Sequence, residues 1–252
     1  MFNTTVVDQI ARLTMCSPPV NALSLAWVAG LTAEVDKLQQ RNDWKVLIIC
    51  SDQKVFCAGG DLREMEERFS APDCGEQAYS YVGAVQRVYS RIETMPQIAI
   101  AEISGAALGG GFELALSCDL RIVATEAKIG LTEVSLGLIP GGGGSQRLPR
   151  LIGAGMAKRM IFSAEVVDGA MAEKIGIAQW AFARADVPRK TLEIAQRIAK
   201  MPAAALHAAK LCINASARPG RDGSIDELDT SRALQLNPES RELISAFING
   251  AR

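Results

Sequence analysis

Two spacings of apolar residues mark the elements along the chain. Residues 5–7 and 10–15 read as the strands of an opening hairpin. Leu25, Val28, Leu31, Val35 and Leu38 follow at intervals of three and four, which predicts a helix with one apolar face, and Ser24 stands where a side-chain cap belongs. Residues 45–50 form a short continuous apolar run, the pattern of a strand buried on both faces. A loop over 51–61, a charged helix over 62–68 and a polar surface segment over 68–76 come next. Residues 79–93 are expected to be helical, with Met95-Pro96 as the stop. The alternation then repeats, with a strand at 98–103, a glycine-rich turn at 105–111, a helix at 112–118 and a strand at 120–125. After a loop over 132–144 the chain reads as mostly helical, with helices near 153–162, 168–174, 188–199, 203–216, 223–235 and 239–248.

Strand–turn–helix units followed by a helical tail imply an α/β core, residues 1–195, with a helical C-terminal region, residues 196–252. No repeat is strong enough to imply a solenoid. Apolar residues make up 48% of the chain but aromatics only 5%, so the core is expected to be built from Ala, Val, Ile and Leu. Lys and Arg total 27 against 28 for Asp and Glu, so no basic field exists to attract nucleic acid.

The six cysteines, at 16, 50, 57, 74, 118 and 212, contain no C-x-x-C pair and sit mostly in apolar runs. They are expected to be buried thiols in a reducing compartment. The N-terminal residues lack a basic stretch followed by an apolar block, so no signal peptide is expected. The most apolar stretch, residues 98–123, is broken by Glu102, Glu113, Asp119 and Arg121 and does not read as a membrane span. A soluble cytoplasmic protein without a membrane or nucleic-acid partner is the expectation.

Several motifs fail on spacing. Gly109-x-Gly111 and Gly142-x-Gly144 would need glycine at 114 and 147 to bind a dinucleotide, and Leu114 and Arg147 stand there. No glycine pair is followed by Lys-Ser or Lys-Thr. His207 is the only histidine, which removes multi-histidine metal sites, and no metal is expected. Ser145 misses the nucleophile-elbow pattern and is expected to cap the following helical turn.

Two segments carry the candidate chemistry: Val55-Phe-Cys-Ala-Gly-Gly-Asp-Leu62 and Ile103-Ser-Gly-Ala-Ala-Leu-Gly-Gly-Gly-Phe-Glu113. Each follows a buried strand and turns into a helix, where unpaired amides and the helix dipole favour negative charge. Two such turns facing each other would form an oxyanion hole suited to a thioester carbonyl becoming an enolate. Glu113 lies one helical turn beyond Gly110. It reads either as a first-turn acid complementing the dipole or as a functional carboxylate, since its neighbours are apolar and an unpaired acid in a core is costly. Glu133 by itself reads as an ordinary loop acid, raised in interest by its apolar, glycine-dense setting. Four consecutive glycines, Gly141 to Gly144, lose backbone entropy unless something must approach the chain closely; an acyl group or a water pocket is expected.

At these residues the chain resembles the enoyl-CoA hydratase/isomerase (crotonase) superfamily. The resemblance runs through Asn21-Ala-Leu-Ser24, Phe56-Cys-Ala-Gly-Gly-Asp-Leu62, Gly105-Ala-Ala-Leu-Gly-Gly-Gly-Phe-Glu-Leu-Ala115, Ser117-Cys-Asp-Leu-Arg-Ile122 and Gly137-Leu-Ile-Pro-Gly-Gly-Gly-Gly-Ser-Gln-Arg-Leu148. It implies a spiral of ββα units with a helical C-terminal trimerisation region, assembled as trimers or hexamers. It implies oxyanion amides at Gly60 and Gly110, catalytic Glu113 and Glu133, and coenzyme A contacts at Ala22, Ala58, Asp61, Leu62, Arg63 and Gly141. No permanently bound cofactor is implied, because coenzyme A is part of the substrate. Both hydratase glutamates are matched, twenty positions apart, which favours addition of water across a 2-enoyl-CoA. Isomerisation, acyl-CoA hydrolysis and a non-catalytic RNA-binding role are the alternatives. The chain departs from the family pattern at Gly60, where alanine is common, at Arg63, where lysine is common, and in the tail over 237–252.

Overall fold

The computed structural model describes residues 1–216, 220 and 222–250. The other residues of the expected C-terminal region, 217–219, 221, 251 and 252, lie outside the described residues. The chain opens with β1 (Phe2–Val7) and β2 (Ile10–Met15), paired antiparallel through Val7 and Ile10. Asp8 and Gln9 between them both have positive φ, 49° and 64°, the pattern of a two-residue primed turn. Helix α1 (Leu25–Gln39) is capped as expected, the Ser24 hydroxyl accepting from the Trp27 amide. Its buried face differs in one place. Leu25, in the first turn, is exposed, and Trp27 is buried against Phe2, with ring centroids 5.1 Å apart.

Strand β3 (Val46–Ser51) lies parallel to β2, and both its faces are covered. Helix α2 (Leu62–Phe69) is surface-borne, and α3 (Cys74–Thr94) starts earlier than the sequence implies, absorbing the end of the expected surface segment. Strand β4 (Ile98–Ile103) is buried along its whole length. Then follow β5 (Ala107–Leu108), α4 (Gly110–Ser117), β6 (Leu120–Ala124), β7 (Lys128–Gly130) and a 3-10 turn, Glu133–Leu136. Helix α5 (Gly144–Phe162) is kinked at Gly153, where φ is 77°. The expected helix near 153–162 is only its second half.

After β8 (Val167–Asp168), α6 (Gly169–Lys174) and β9 (Trp180–Phe182) come α7 (Val187–Ala199), α8 (Ala203–Ala215), α9 (Gly223–Leu236) and α10 (Pro238–Ile248). The region after residue 144 is therefore not only helical. Strands β8 and β9 interrupt it.

A six-stranded sheet of order β1-β2-β3-β4-β6-β9 packs against a three-stranded one of order β5-β7-β8. Isolated parallel bridges Leu23–Gly60 and Cys57–Ala107 continue the smaller sheet's pattern. Each turn of the chain thus adds one strand to the large sheet and one short extended piece to the small one. This is an α/β fold with a helical C-terminal region, as the resemblance implies. The boundary expected near 195 falls inside α7, a helix packed on β3 and β4. Helix α8 is tied to the sheet by a buried ion pair, the Lys210 ammonium donating to Asp119 at 2.7 Å and to the Gln97 carbonyl at 2.9 Å. Among the described residues no helix is long and apolar enough to cross a membrane.

Candidate active site

The spiral brings the two glycine turns into backbone contact. The Phe56 and Cys57 amides donate to the Ala106 carbonyl, and the Leu108 amide to the Cys57 carbonyl. A side chain at Gly111 would sit 2.3 Å from the Cys57 carbonyl oxygen, so only glycine permits this approach. Gly59, with φ at 97°, lies against the Gly110 amide, its Cβ position 3.3 Å from that nitrogen. Buried Asn21 holds the first turn from behind: its amide donates to Ser51 and to the Phe56 carbonyl, and its oxygen accepts from the Ser17 amide. Tyr89 holds the second, donating to the Gly110 carbonyl at 2.9 Å. Among the described residues neither the Gly60 nor the Gly110 amide donates to another protein group. Both residues border one large cavity.

Glu113 projects from the first turn of α4, and its carboxylate is buried. It is not unpaired. Oε2 accepts from the Gly142 amide at 3.0 Å and Oε1 from the Gly144 amide at 2.7 Å. The second of these amides opens α5, whose residue before the helix, Gly143, supplies no side-chain cap. Glu113 is therefore the cap of α5, supplied from another helix. Ser145 lies inside the helix and does not cap it, correcting the sequence expectation. Burial pushes the Glu113 carboxyl up, and the Gly144 and Gly142 amides and the nearby Arg147 charge oppose that push.

The glycine run is explained mainly by this carboxylate. A Cβ at Gly142 would lie 2.6 Å from Glu113 Oε2, and one at Gly143 would lie 2.1 Å from Arg147 Nη1. What approaches the run from the protein side is an acid and a guanidinium. Its other side borders the cavity through Gly141.

Glu133 begins the 3-10 turn and reaches the second glycine turn, where its Oε1 is 3.2 Å from the Cβ position of Gly109. Its Oε2 is buried and has no hydrogen-bond partner. Burial, together with the charge of Glu113, raises its carboxyl to about 7. The two acids thus share a site but not an environment. Glu113 is supported by two amides from another segment that favour its ionised form, whereas Glu133 has only its own backbone amide to set against burial and the Glu113 charge.

A cavity of about 1110 Å³ is bordered by both acids and by every other expected site residue: Ala22, Ala58, Gly60, Asp61, Leu62, Arg63, Gly110 and Gly141. The Asp61 carboxylate is already engaged, capping α2 through the Arg63 and Glu64 amides at 3.0 and 3.2 Å. Arg63 is exposed at the same helix start. Among the described residues no group of His, Cys, Asp and Glu forms a metal-binding cluster.

Three residues that sequence reasoning passed over shape the site. Arg147 donates to the Gly142 carbonyl at 2.9 Å and, through Nε and Nη2, to Glu93. The signal for it was present, a cation between a glycine run and buried Leu148. Tyr81 donates to the Leu23 carbonyl at 2.6 Å, and Leu23 packs on Gly110, its Cδ2 3.1 Å from the Cβ position there. Arg68 lies over the Tyr81 ring, 4.4 Å from its centroid. Nothing in a run of charged helix residues distinguishes Arg68 beforehand.

Residues 5–244 match the family model described as enoyl-CoA hydratase/isomerase. The chain is 40% identical over 199 residues to the mitochondrial methylglutaconyl-CoA hydratase of Mus musculus, an alignment covering 77% of this chain and 62% of the relative. The human protein of the same name is also 40% identical over 199 residues, with 57% of it covered. The chain thus spans about three fifths of the length of these curated relatives. Among solved structures, an enoyl-CoA hydratase from Bacillus anthracis superposes with a TM-score of 0.91 at 32% identity, covering 99% of this chain and 96% of that one. A structure from Geobacillus kaustophilus HTA426, also described by the enoyl-CoA hydratase name, gives 0.93 at 32% identity, covering 100% and 94%.

Proposed function

This chain belongs to the enoyl-CoA hydratase/isomerase family, and within it we propose that it adds water across the double bond of a 2-enoyl-CoA to give a 3-hydroxyacyl-CoA. The observation that carries the proposal is the pairing of Glu113, held by two amides, with Glu133, whose Oε2 is buried without a partner and whose carboxyl is raised to about 7, beside the Gly60 and Gly110 amides. Environments that separate the proton affinities of two neighbouring acids assign one as base and the other as acid.

In the proposed reaction the thioester oxygen accepts from the Gly60 and Gly110 amides. As charge develops there in the enolate-like transition state, each donor contributes about 3–4 kcal/mol. Water between the carboxyls gives a proton to ionised Glu113 and attacks the β-carbon. Protonated Glu133 delivers its proton to the α-carbon. No bound cofactor takes part, since coenzyme A enters and leaves as part of the thioester. Arg63 and the Ala58 carbonyl are proposed contacts for the coenzyme A moiety. Self-association belongs to the same proposal. Leu228, Leu236, Ile244, Phe247 and Ile248 of α9 and α10 are all more than half exposed, an apolar surface suited to burial between copies in a trimer or hexamer.

The test is loss of enoyl absorbance with crotonyl-CoA for the wild type, Glu113→Gln and Glu133→Gln, with product mass measured. Hydration adds one water, isomerisation leaves the mass unchanged and hydrolysis releases free coenzyme A. Each variant is expected to lose about 10²–10⁴ in rate. Near-wild-type turnover by either one would refute the acid–base pair. Methylglutaconyl-CoA, the thioester in the relatives' name, belongs in the substrate panel.

A further inference from the structure

One wall of the cavity carries a cation that hydration does not use. Arg68 stands in the last turn of α2 and is half-buried, its guanidinium laid over the Tyr81 ring. Its Nη1 is buried without a hydrogen-bond partner, and among the described residues it forms no ion pair. A buried N–H of a charged donor is costly when nothing accepts from it, so its position implies an acceptor from outside the protein. The acids one and two turns back along α2 do not supply one: Glu64 accepts from the Leu25 amide at 2.9 Å, and Asp61 caps α2.

The position of Arg68 relates it to the reacting end of the substrate. Tyr81, on which it stacks, is hydrogen-bonded to Leu23, and Leu23 packs on Gly110, where the thioester oxygen is proposed to sit. One aromatic ring and one leucine therefore separate the guanidinium from that turn. Around it the cavity lining is apolar, with Phe69, Ala78 and Val82. The other basic side chain of the lining, Arg63, stands at the opposite end of α2, five residues or about 7.5 Å of helix rise away. Stacking on Tyr81 fixes the plane of the guanidinium, leaving its N–H edge to meet an acceptor, and a flat fork of donors matches a carboxylate.

We infer that Arg68 binds a carboxylate at the far end of the acyl group, so that the preferred substrate is an enoyl-CoA whose acyl chain carries a second acid. This rests on the hydratase reading for its reaction but not for its binding site. Arg68 is a specificity residue here and takes no part in proton transfer.

Two saturated, unreactive thioesters separate the possibilities: glutaryl-CoA, with a terminal carboxylate, and butyryl-CoA, without one. Their affinities are measured by calorimetry for the wild type, Arg68→Met and Arg68→Lys. The wild type is expected to prefer glutaryl-CoA. Arg68→Met is expected to lose about 10²-fold for glutaryl-CoA and to bind butyryl-CoA within about twofold of wild type. Arg68→Lys, which keeps the charge but not the fork, should fall between them. Unchanged butyryl-CoA binding also shows that the variant is folded. Equal weakening of both ligands would assign Arg68 to the coenzyme A phosphates or to packing and would overturn the inference. So would a wild type without preference, or an Arg68→Met without effect. Hydration of glutaconyl-CoA and crotonyl-CoA is followed in parallel. Turnover of neither, with the glutaryl-CoA preference intact, would sink the hydratase reading and leave the carboxylate site standing. Turnover of both with no preference in binding would do the reverse.

Discussion

Glu113 accepts a hydrogen bond from the amide of Gly142, 29 residues further along the chain, at 3.0 Å. Together with the Gly144 amide at 2.7 Å, this bond joins the acid of one helix to the N-terminus of another. The same contact caps α5, fixes the orientation of the carboxylate and offsets part of the burial that would otherwise neutralise it. A structural cap and a proposed general base are one group.

Gly142→Ala separates this contact from ordinary helix effects. Its Cβ would meet Glu113 Oε2 at 2.6 Å and Val85 Cγ1 at 3.1 Å. We expect a loss of about 1–3 kcal/mol in stability, as for other overpacked sites, and turnover reduced by about 10²-fold through the displaced carboxylate. Gly155→Ala, inside α5, meets nothing within 4 Å and has an ordinary φ. It should stabilise by about 0.5–1 kcal/mol with activity unchanged. Urea unfolding and crotonyl-CoA assays of both variants test the contrast.

The Glu133 carboxyl, raised to about 7 by burial and the Glu113 charge, gives a pH signature. If protonated Glu133 is the acid, kcat/KM should fall as pH rises through about 7, with apparent values belonging to the coupled pair. Stability has the same sign. Below the ordinary glutamate value both folded and unfolded chains hold the proton and nothing is lost. As pH rises from there to about 7 the unfolded chain ionises first, and folding loses ground. Glu133→Gln lacks this loss. It should therefore exceed wild type in stability by about 1–2 kcal/mol at pH 8, allowing for the partial exposure of Glu133, and show no such advantage at pH 4. Thermal melts across pH measure the difference. Equal advantage at both pH values would contradict the assigned cause.

Arg147 acts through Gly142 and not on substrate. It braces the Gly142 carbonyl and is itself held by Glu93. Arg147→Met should cost about 1–3 kcal/mol of stability, because it leaves the Gly142 carbonyl without its donor and Glu93 with only Arg150, 3.8 Å away. It also removes a charge that lowers the Glu113 carboxyl. The acidic limb of the kcat/KM profile should then move to higher pH, an effect that loss of packing alone would not produce.

Gly60 tolerates a methyl group. Its φ is not in the left-handed region, and a Cβ would meet only the Met65 side chain at 3.6 Å. Gly60→Ala is expected to raise stability by about 0.4–1 kcal/mol by restricting the unfolded chain, while the amide stays available and kcat is kept. A large fall in kcat would mean that the freedom of glycine is needed at this donor.

Much of the fold was legible because it is written in local patterns. The continuous apolar runs that became β3 and β4 are buried on both faces, and the 3–4 spacing after Ser24 became α1 with its cap in place. The short strands β5, β7, β8 and β9 were not legible. Each is two or three residues long and is strand only because distant chain lies beside it, as Ala107 lies beside Ile129. The amphipathic pattern also misassigned Leu25, since the packing of Phe2 on Trp27 lies outside any periodicity.

The site divides in the same way. The sequence by itself determined that two glycine turns enter two helices and that an acid sits one turn into the second, because backbone freedom and helix position are local properties. Only the tertiary structure decided how the surroundings of the two glutamates differ. Proton affinity depends on burial, neighbouring charge and donors supplied from elsewhere, here the Gly142 and Gly144 amides for Glu113 and none for the Oε2 of Glu133. For the same reason Arg68, one charge among many along the chain, acquires meaning only where α2 lays it across Tyr81 at the cavity wall.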